Sequence, residues 1–287
     1  MPAEMQLKIW DVEHGACAMA QHVNNGQLGR LAMIDSGCTA EWHPSAYIRH
    51  GLGRTVLDYL IITNADQDHL SDLAGLAAQS VYVKTLTRNR HPPPDVLRAM
   101  KQQSGGVTDD MEQYLALHST YTVDATEPFD LHMGGITLKT FANPYPLFQN
   151  TNDLSLVAFI QYSAFKIVFP GDLEEAGWLA LLQRPEFCAA LRGVNVFVAS
   201  HHGRENGYCE PVFAHCHPQV VVTSDKSIIH DTQLMTPIYR QRVLDHENGV
   251  LVANTGERRH VLTTRRDGHI LFRVNDNNYT VETEKQG

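Results

Sequence analysis

The sequence predicts an α/β fold in which helices cover the outer faces of two β-sheets. Two blocks of the chain support this prediction, because each goes from predicted antiparallel strands to strand–helix units. No Pro/Ser-rich linker separates the blocks, and no repeat or low-complexity run interrupts them. A single sandwich domain over residues 1–287 is therefore favoured over two independent domains.

The composition excludes several classes of protein. Hydrophobic residues make up 43% of the chain and charged residues 19%, which is typical of a folded domain. No window approaches the about 18 apolar residues of a membrane span, and no secretory signal is visible, so we expect a cytoplasmic protein without a membrane partner. Five widely spaced cysteines without a C-x-x-C pair argue against a disulfide framework and a thiolate zinc site. A formal charge of −9 argues against a large non-specific nucleic-acid surface.

The first block begins with a predicted β-hairpin. Apolar residues alternate over residues 7–12, 16–22 and 31–35, and the turn at Asn25-Gly26 is a strong hairpin signal. Residues 57–63 are apolar apart from Asp58, which indicates a strand buried on both faces. A helix is predicted from Leu70, so the polar residues before it lie in a strand-to-helix loop.

The middle of the chain gives the weakest pattern. Helical stretches are predicted near residues 95–103 and 109–117, with a break at Gly105-Gly106. We interpret residues from about 85 to 130 as a helical and loop insertion that flanks the site, since long functional loops commonly take such positions.

The second block returns to strands. Strands are predicted at residues 136–142, 155–162, 166–169, 194–200, 220–223, 250–253, 260–264 and 270–274. Helices are predicted at residues 174–183 and 236–246.

Residues that bind metals follow the predicted strands at four places. They are Asp66, Asp68 and His69, then Asp172, then His201 and His202, and finally His230. Taken alone, Asp172 could cap a turn and His230 could be a surface histidine. Adjacent imidazoles at a buried strand end, however, need polar partners. Because ligands gather outside the carboxyl ends of strands in layered α/β folds, the four places together predict a metal site.

The residue types at this site suit metal-assisted hydrolysis. Carboxylates and neutral imidazoles bind divalent ions, which lower the pKa of bound water towards about 7 and so supply a nucleophile. An aspartate shared between two ions would hold them about 3.5–4 Å apart, the spacing that clamps a phosphodiester.

The order of these motifs resembles the metallo-β-lactamase superfamily, in which a strand is followed by H-x-H-x-D-H and then by a histidine, a bridging aspartate and a final histidine. It is most similar to the branch that contains the hydrolase domain of the DNA-uptake protein ComEC. Seven motifs in order carry the resemblance: DVEHG at residues 11–15, IDSG at 34–37, NADQDH at 64–69, NDLSLV at 152–157, PGD at 170–172, HHG at 201–203, and His230. The resemblance implies a four-layer αββα sandwich and a metal-dependent hydrolase.

The resemblance also implies roles for individual residues. One metal site would contain Asp68, His69, Asp172 and His230, with Asp172 placed to bridge. The other would contain Asn64, Asp66 and Asn152, of which Asn64 and Asn152 depart from the superfamily's histidines. Because an amide offers a neutral oxygen, this second set should bind more weakly and favour manganese or magnesium over zinc. We expect one or two divalent ions, one firmly held and one labile.

Further residues are candidates for catalysis or binding. The candidate catalytic residues are Asp68, His201 and His202, and either histidine could serve as a general acid, a phosphate contact or an extra ligand. Asp35 is expected to contact a metal ligand without binding the metal itself, and His14 is expected to face the site from its loop. Local positive charge for a phosphate could come from Arg88, Arg90, His91 and Arg204. A solvated insertion loop explains the first three equally well.

For this branch, the resemblance implies phosphodiester cleavage of nucleic acid or nucleotides. Two alternatives remain at the level of the sequence. One is hydrolysis of a thioester, lactone or β-lactam, which a histidine-rich zinc site would favour and Asn64 disfavours. The other is a single-metal binding or sensor module that has lost catalysis. The sequence leaves assembly open, either as a homo-oligomer or with a partner protein.

Overall fold

The computed structural model describes residues 3–226, 234–276 and 278–285. Over these residues two mixed β-sheets face each other, and helices cover the outer face of each sheet. The result is a four-layer αββα sandwich, which confirms the fold class predicted from the sequence.

Fifteen strands are assigned within the described residues. They are β1 (Glu4–Ile9), β2 (Ala18–Asn24), β3 (Gln27–Ile34), β4 (Val56–Ile61), β5 (Tyr82–Thr87), β6 (Ile136–Ala142), β7 (Leu156–Tyr162), β8 (Phe165–Phe169), β9 (Val196–Val198), β10 (Val220–Thr223), β11 (Val250–Leu251), β12 (Arg258–Arg259), β13 (Val261–Thr263), β14 (Ile270–Val274) and β15 (Tyr279–Thr283).

The helices of the described residues lie mainly between the parallel strands. They are α1 (Pro44–Ala46), α2 (Gln67–Leu70), α3 (Leu73–Ala78), α4 (Pro94–Ser104), α5 (Asp109–Thr120), α6 (Phe129–His132), α7 (Glu175–Leu182), α8 (Pro185–Leu191), α9 (Thr236–Arg240) and α10 (Thr264–Asp267). A π-helical turn spans Tyr47–Gly51, and 3-10 turns span Ser200–Gly203, Glu205–Gly207 and Glu210–Ala214.

Each sheet has an antiparallel half and a parallel half. The first sheet has the order β15-β14-β1-β2-β3-β4-β5, in which only the β3–β4 and β4–β5 pairs are parallel. The second has the order β13-β10-β9-β8-β7-β6, with β6–β7 and β7–β8 antiparallel and the other pairs parallel. The change from antiparallel to parallel pairing agrees with the two predicted blocks, except that β14, predicted in the second block, joins the first sheet beside β1.

The strands are buried on both faces because they lie between a second sheet and a helical layer. In β7, Leu156, Ala158 and Ile160 pack into the core between the sheets, whereas Val157 and Phe159 pack under the outer helices. Such period-two burial is expected of an internal strand covered on both sides.

The predicted insertion supplies much of one outer layer. Residues 85–130 include α4 and α5, whose Leu97, Met111 and Tyr114 pack on the outer face of the first sheet. Among the described residues, no helix has the length and apolar character needed to cross a membrane.

Several elements differ from the prediction. The strand expected at residues 194–200 covers only Val196–Val198, and the helix expected at 236–246 ends at Arg240. Farther along the predicted helix, the Asp245 side chain accepts hydrogen bonds from the amides of residues 247 and 248 and so forms a turn instead. Strands β5 and β15 and helix α8 were not predicted. β5 lies at a sheet edge, where Tyr82 is 63% exposed, and so lacks the apolar run of a buried strand.

Candidate metal centre

The candidate site lies where β4, β8, β9 and β10 end. The loop after β4 carries residues 64–69, the turn after β8 carries Asp172, and the turn after β9 carries His201 and His202. The Leu156 amide donates to the Thr63 carbonyl at 2.7 Å, which ties the loop after β4 to the second sheet. The two sheets thereby bring together side chains that are distant in the chain.

His69 is held between two carboxylates. Its Nδ1 lies 2.9 Å from Asp35 Oδ2 and its Nε2 lies 3.0 Å from Asp172 Oδ1, and all three side chains are buried. The Thr63 amide donates to Asp35 Oδ1 at 2.7 Å and so fixes this carboxylate. In a neutral ring, Nδ1 carries the proton that faces Asp35, and the lone pair of Nε2 points into the site. An outer carboxylate commonly orients a metal-binding histidine in this way.

Asp68 is positioned by the glycines of the first two motifs. A Cβ atom at Gly15 would lie 2.5 Å from the Asp68 carbonyl oxygen, and one at Gly37 would lie 2.9 Å from it. Gly15 also has φ of +145°, a conformation that residues with a side chain rarely adopt. The Ala16 amide donates to the same carbonyl at 3.2 Å. Both loops therefore rest directly on the backbone of Asp68, which explains why each needs a glycine.

The two adjacent histidines point to different parts of the site. His201 and His202 have φ of 50° and 55°, and such left-handed conformations cost non-glycine residues about 1–3 kcal/mol each. The turn is held by hydrogen bonds from the His201 amide to the Gly171 carbonyl (3.1 Å) and from the Arg204 amide to the His201 carbonyl (3.0 Å). Such backbone strain persists only where surrounding contacts maintain it, and it is common at functional sites.

Four side chains converge into what we call the carboxylate–imidazole cluster: Asp68, His69, Asp172 and His202. One ligand atom from each lies within 4.8 Å of all the others. His202 Nε2 is buried and lies 2.9 Å from Asp68 Oδ2 and 3.5 Å from Asp172 Oδ1. The Nδ1 of His202 lies 3.1 Å from the Ser224 carbonyl, which can only accept. A neutral His202 therefore directs a lone pair at two carboxylates, and a divalent cation fits this donor set.

The charges of the cluster shift one another's pKa values. Burial opposes a charge on His69 and His202, but the nearby carboxylates, above all Asp172, outweigh it and raise the pKa of both imidazoles. Burial also opposes the ionised forms of Asp68 and Asp172, but the imidazoles outweigh it and lower both carboxyl pKa values. Protons on the imidazoles thus balance the carboxylates in the metal-free protein, and a metal ion would displace them.

His14 and His201 lie beside this cluster. His14 Nε2 is 3.5 Å from Asp68 Oδ2, and its ring centroid is 4.8 Å from that of His202. His201 instead places Nδ1 3.5 Å from Glu174 Oε1, and Arg204 Nη1 lies 3.4 Å from its Nε2. Burial, followed by His202 and Arg204, lowers the pKa of His14 to about 4, and burial also lowers the pKa of His201. Both rings are therefore neutral at pH 7.

The remaining predicted ligands form a second group, the amide–lysine cluster, which consists of Asn64, Asp66, Lys101 and Asn152. Asn64 Nδ2 lies 3.2 Å from Asn152 Oδ1 and 3.3 Å from Ser155 Oγ. Asn152 Nδ2 donates to Glu174 Oε1 at 2.9 Å. Ser155 Oγ also accepts from the Asp172 amide at 3.1 Å, so this hydroxyl joins the two clusters.

Asp66 is paired with a lysine from the insertion. Lys101 of α4 forms an ion pair with Asp66 Oδ1 and donates to Thr151 Oγ1 at 3.3 Å. The Lys101 side chain is only 13% exposed. Burial lowers the pKa of Lys101 to about 8, an effect that Asp172 opposes, so the amine stays mainly protonated at neutral pH. Asp66 is thereby neutralised by the protein itself.

The predicted site residues thus separate into groups. Asp68, His69, Asp172 and His202 converge, and Asn64, Asp66 and Asn152 lie in the neighbouring cluster. His230 falls outside the described residues.

The arginines predicted to contact phosphate differ in position. Arg204 lies beside His201, at the edge of the site. Arg88 is buried and donates to the carbonyls of His118 (2.6 Å) and Tyr121 (2.9 Å). Arg90 pairs with Asp124 and with the Thr122 carbonyl. Arg88 and Arg90 therefore hold the insertion together, which argues against the predicted phosphate contact for these two residues.

Three residues of the site were not identified from the sequence: Lys101, Ser155 and Glu174. Ser155 and Glu174 each lie within three residues of a predicted ligand, so their proximity was a usable signal. Lys101 gave none, because it is one of several polar residues on an amphipathic helix in the least regular part of the chain.

No protein-family model matches the chain, and no curated protein sequence matches it. Among solved structures it is similar to CmlA, a diiron β-hydroxylase from Streptomyces venezuelae, with 14% identity and a TM-score of 0.52 over 96% of this chain and 55% of that chain.

Two further structures align over nearly the whole chain. The metallo-β-lactamase fold protein YhfI from Bacillus subtilis has 13% identity and a TM-score of 0.47, covering 94% of this chain and 99% of that chain. A diphosphatase from the PhnP family has 11% identity and a TM-score of 0.44, also covering 94% and 99%. At 14% identity the likeness to CmlA shows the fold alone, in agreement with the αββα sandwich that the two sheets of this chain form.

Proposed function

We propose that this protein is a metal-dependent hydrolase that cleaves phosphodiesters of nucleic acid or nucleotides. The observation that carries the proposal is the buried Nε2 of His202, which lies 2.9 Å from the Asp68 carboxylate and 3.5 Å from that of Asp172. Leaving such an arrangement without a cation would be costly, because buried polar atoms and charges need partners.

A divalent ion would be held by Asp68, His69, Asp172 and His202. When bound there, it would supply the Lewis acidity that activates water and polarises a phosphoryl oxygen. Asp35 holds His69 in the required orientation, and the Ser224 carbonyl does the same for His202. These contacts fix the ligands before the ion arrives, which limits the cost of reorganisation on binding.

The charges around the cluster favour an anionic substrate. Arg204 and Lys101 bring two positive side chains to its borders, and the positive charge of Arg204 lowers the pKa of His14 and His201. Being neutral at pH 7, His14 and His201 can accept a proton from a nucleophile or a hydrogen bond from substrate. Bound phosphate would thus meet positive groups at the edge of an otherwise carboxylate-rich centre.

A second candidate function is metal binding without catalysis, as in a sensor. The ion pair between Lys101 and Asp66 favours this alternative, because it leaves one side of the site without a free carboxylate. Hydrolysis of a thioester, lactone or β-lactam remains a further alternative for the same metal centre. A panel of substrates separates these possibilities.

The panel comprises bis-p-nitrophenyl phosphate, single- and double-stranded DNA, RNA, nitrocefin and S-lactoylglutathione, each with manganese, magnesium or zinc. We expect hydrolysis of the phosphodiesters, and its loss in Asp172→Ala and His69→Ala. Asp124→Ala and His50→Ala are matched controls, because both residues are exposed and should leave the rate unchanged. Full activity in both site variants would refute the site, and a metal-loaded protein inactive on every substrate would favour the binding role.

A further inference from the structure

The amide–lysine cluster does not fit a second metal ion. Asn152 Oδ1 already accepts from Asn64 Nδ2, and Asn152 Nδ2 donates to Glu174 Oε1, so the buried Asn64 Oδ1 is the one amide oxygen of this cluster without a hydrogen-bond partner. Its one carboxylate, Asp66, is paired with the ammonium group of Lys101. Two amide oxygens and a neutralised carboxylate form a poor site for any divalent ion.

Lys101 is held in place as firmly as a ligand would be. Its side chain is largely buried and bonds to Asp66 on one side and Thr151 on the other. It reaches the site from α4, whose Leu97 anchors the helix in the outer layer of the first sheet. An ammonium group buried in this position needs a carboxylate partner, and Asp66 supplies it.

We propose that Lys101 takes the place of a second metal ion, so that the centre holds one divalent ion in the carboxylate–imidazole cluster and an ammonium group beside it. The ammonium supplies the second positive charge that would contact an anionic substrate. Its role towards substrate rests on the proposed function, whereas the number of bound ions does not.

Counting the bound ions tests whether the centre holds a single divalent ion. Wild-type protein, Lys101→Ala, Lys101→Arg and Lys84→Ala would be titrated with Mn²⁺, with bound ions counted by native mass spectrometry and by the electron paramagnetic resonance signal of free Mn²⁺. Lys84→Ala is the matched control, since Lys84 pairs with Glu127 in another part of the first sheet. Wild type, Lys101→Arg and Lys84→Ala should bind one ion.

Lys101→Ala should gain a second, weaker ion, because it frees Asp66. Two ions in the wild type, or a single ion in Lys101→Ala at saturating Mn²⁺, would overturn the inference. Circular dichroism would verify that each variant is folded.

Binding of inorganic phosphate tests whether the ammonium group of Lys101 contacts an anionic substrate. At Mn²⁺ concentrations that fill only the first site, Lys101→Ala should weaken phosphate binding about tenfold, as expected for loss of one charged hydrogen bond, while Lys101→Arg should retain most of it. Equal phosphate affinity in wild type and Lys101→Ala would refute the contact with substrate. Because the ion count needs no substrate, failure of the proposed hydrolase activity would be recognised separately.

Discussion

Both clusters of this site take residues from the loop after β4, but they differ in how their charges are balanced. In the carboxylate–imidazole cluster, Asp68 and Asp172 face imidazole nitrogens and depend on protons or a metal ion for neutrality. In the amide–lysine cluster, Asp66 is already balanced by Lys101, and the amides bond to each other. Metal affinity therefore depends on an uncompensated charge as well as on the number of oxygen and nitrogen atoms.

The largest expected effect is a difference in metal affinity between two variants, each with one substitution in one of the clusters. Asp172→Asn keeps the shape of the side chain but removes the carboxylate that faces His69 and His202, so we expect metal affinity to fall about 100-fold or more. Asp66→Asn should leave the affinity of the first ion unchanged, because Asp66 is committed to Lys101. Isothermal titration calorimetry with Zn²⁺ or Mn²⁺ measures both, and equal losses in the two variants would show that the clusters are not distinct.

A smaller loss of metal affinity is expected when Asp35, which contacts the ligand His69, is substituted. Asp35→Asn removes the carboxylate that orients His69 but leaves every proposed ligand in place, so metal affinity should fall about 10–100-fold. Asp58→Asn is a suitable control, because Asp58 is an aspartate of the neighbouring strand that pairs with Arg54 instead. Unchanged metal affinity in Asp35→Asn would show that the hydrogen bond to His69 does not support the ligand.

A still smaller effect is expected from pH. Rising pH should increase the apparent metal affinity but decrease the stability of the metal-free protein. The raised pKa of His69 means that an ion must displace a proton below that pKa, so apparent metal affinity should increase by up to about tenfold per pH unit as pH rises towards it. In the metal-free protein the same shift stabilises the fold below the unfolded pKa, and this stability is lost as pH rises through the folded pKa.

Thermal unfolding from pH 6 to 9, with and without Mn²⁺, measures both trends. We expect the free energy of unfolding of the metal-free protein to fall over this range and the stabilisation by metal to grow. If His69→Gln shows the same pH dependence as the wild type, another group is responsible. In the other cluster, Asn64 and Asn152 do not titrate, whereas Lys101, whose pKa burial lowers to about 8, should raise stability above that pH and so oppose the trend from His69.

The sequence by itself determined the fold class and the strand ends that carry the site. The apolar run in residues 155–162 identified β7, and the turn at Asn25-Gly26 identified the hairpin of β2 and β3. The buried strands before Asp68, Asp172 and His202 were visible because an apolar run that ends in acids or histidines is a local pattern. Local patterns of this kind reflect the periodicity of strands and helices, so they can be identified without knowledge of the partners.

Only the tertiary structure decided which polar side chains meet. It separated His201 from His202, which are adjacent in the chain, through two left-handed residues that direct one ring to Glu174 and the other to Asp68. It also paired Asp66 with Lys101, 35 residues away on a helix of the insertion. The physical reason is that charge balance in a buried site depends on every group packed around it, and those groups come from distant parts of the chain.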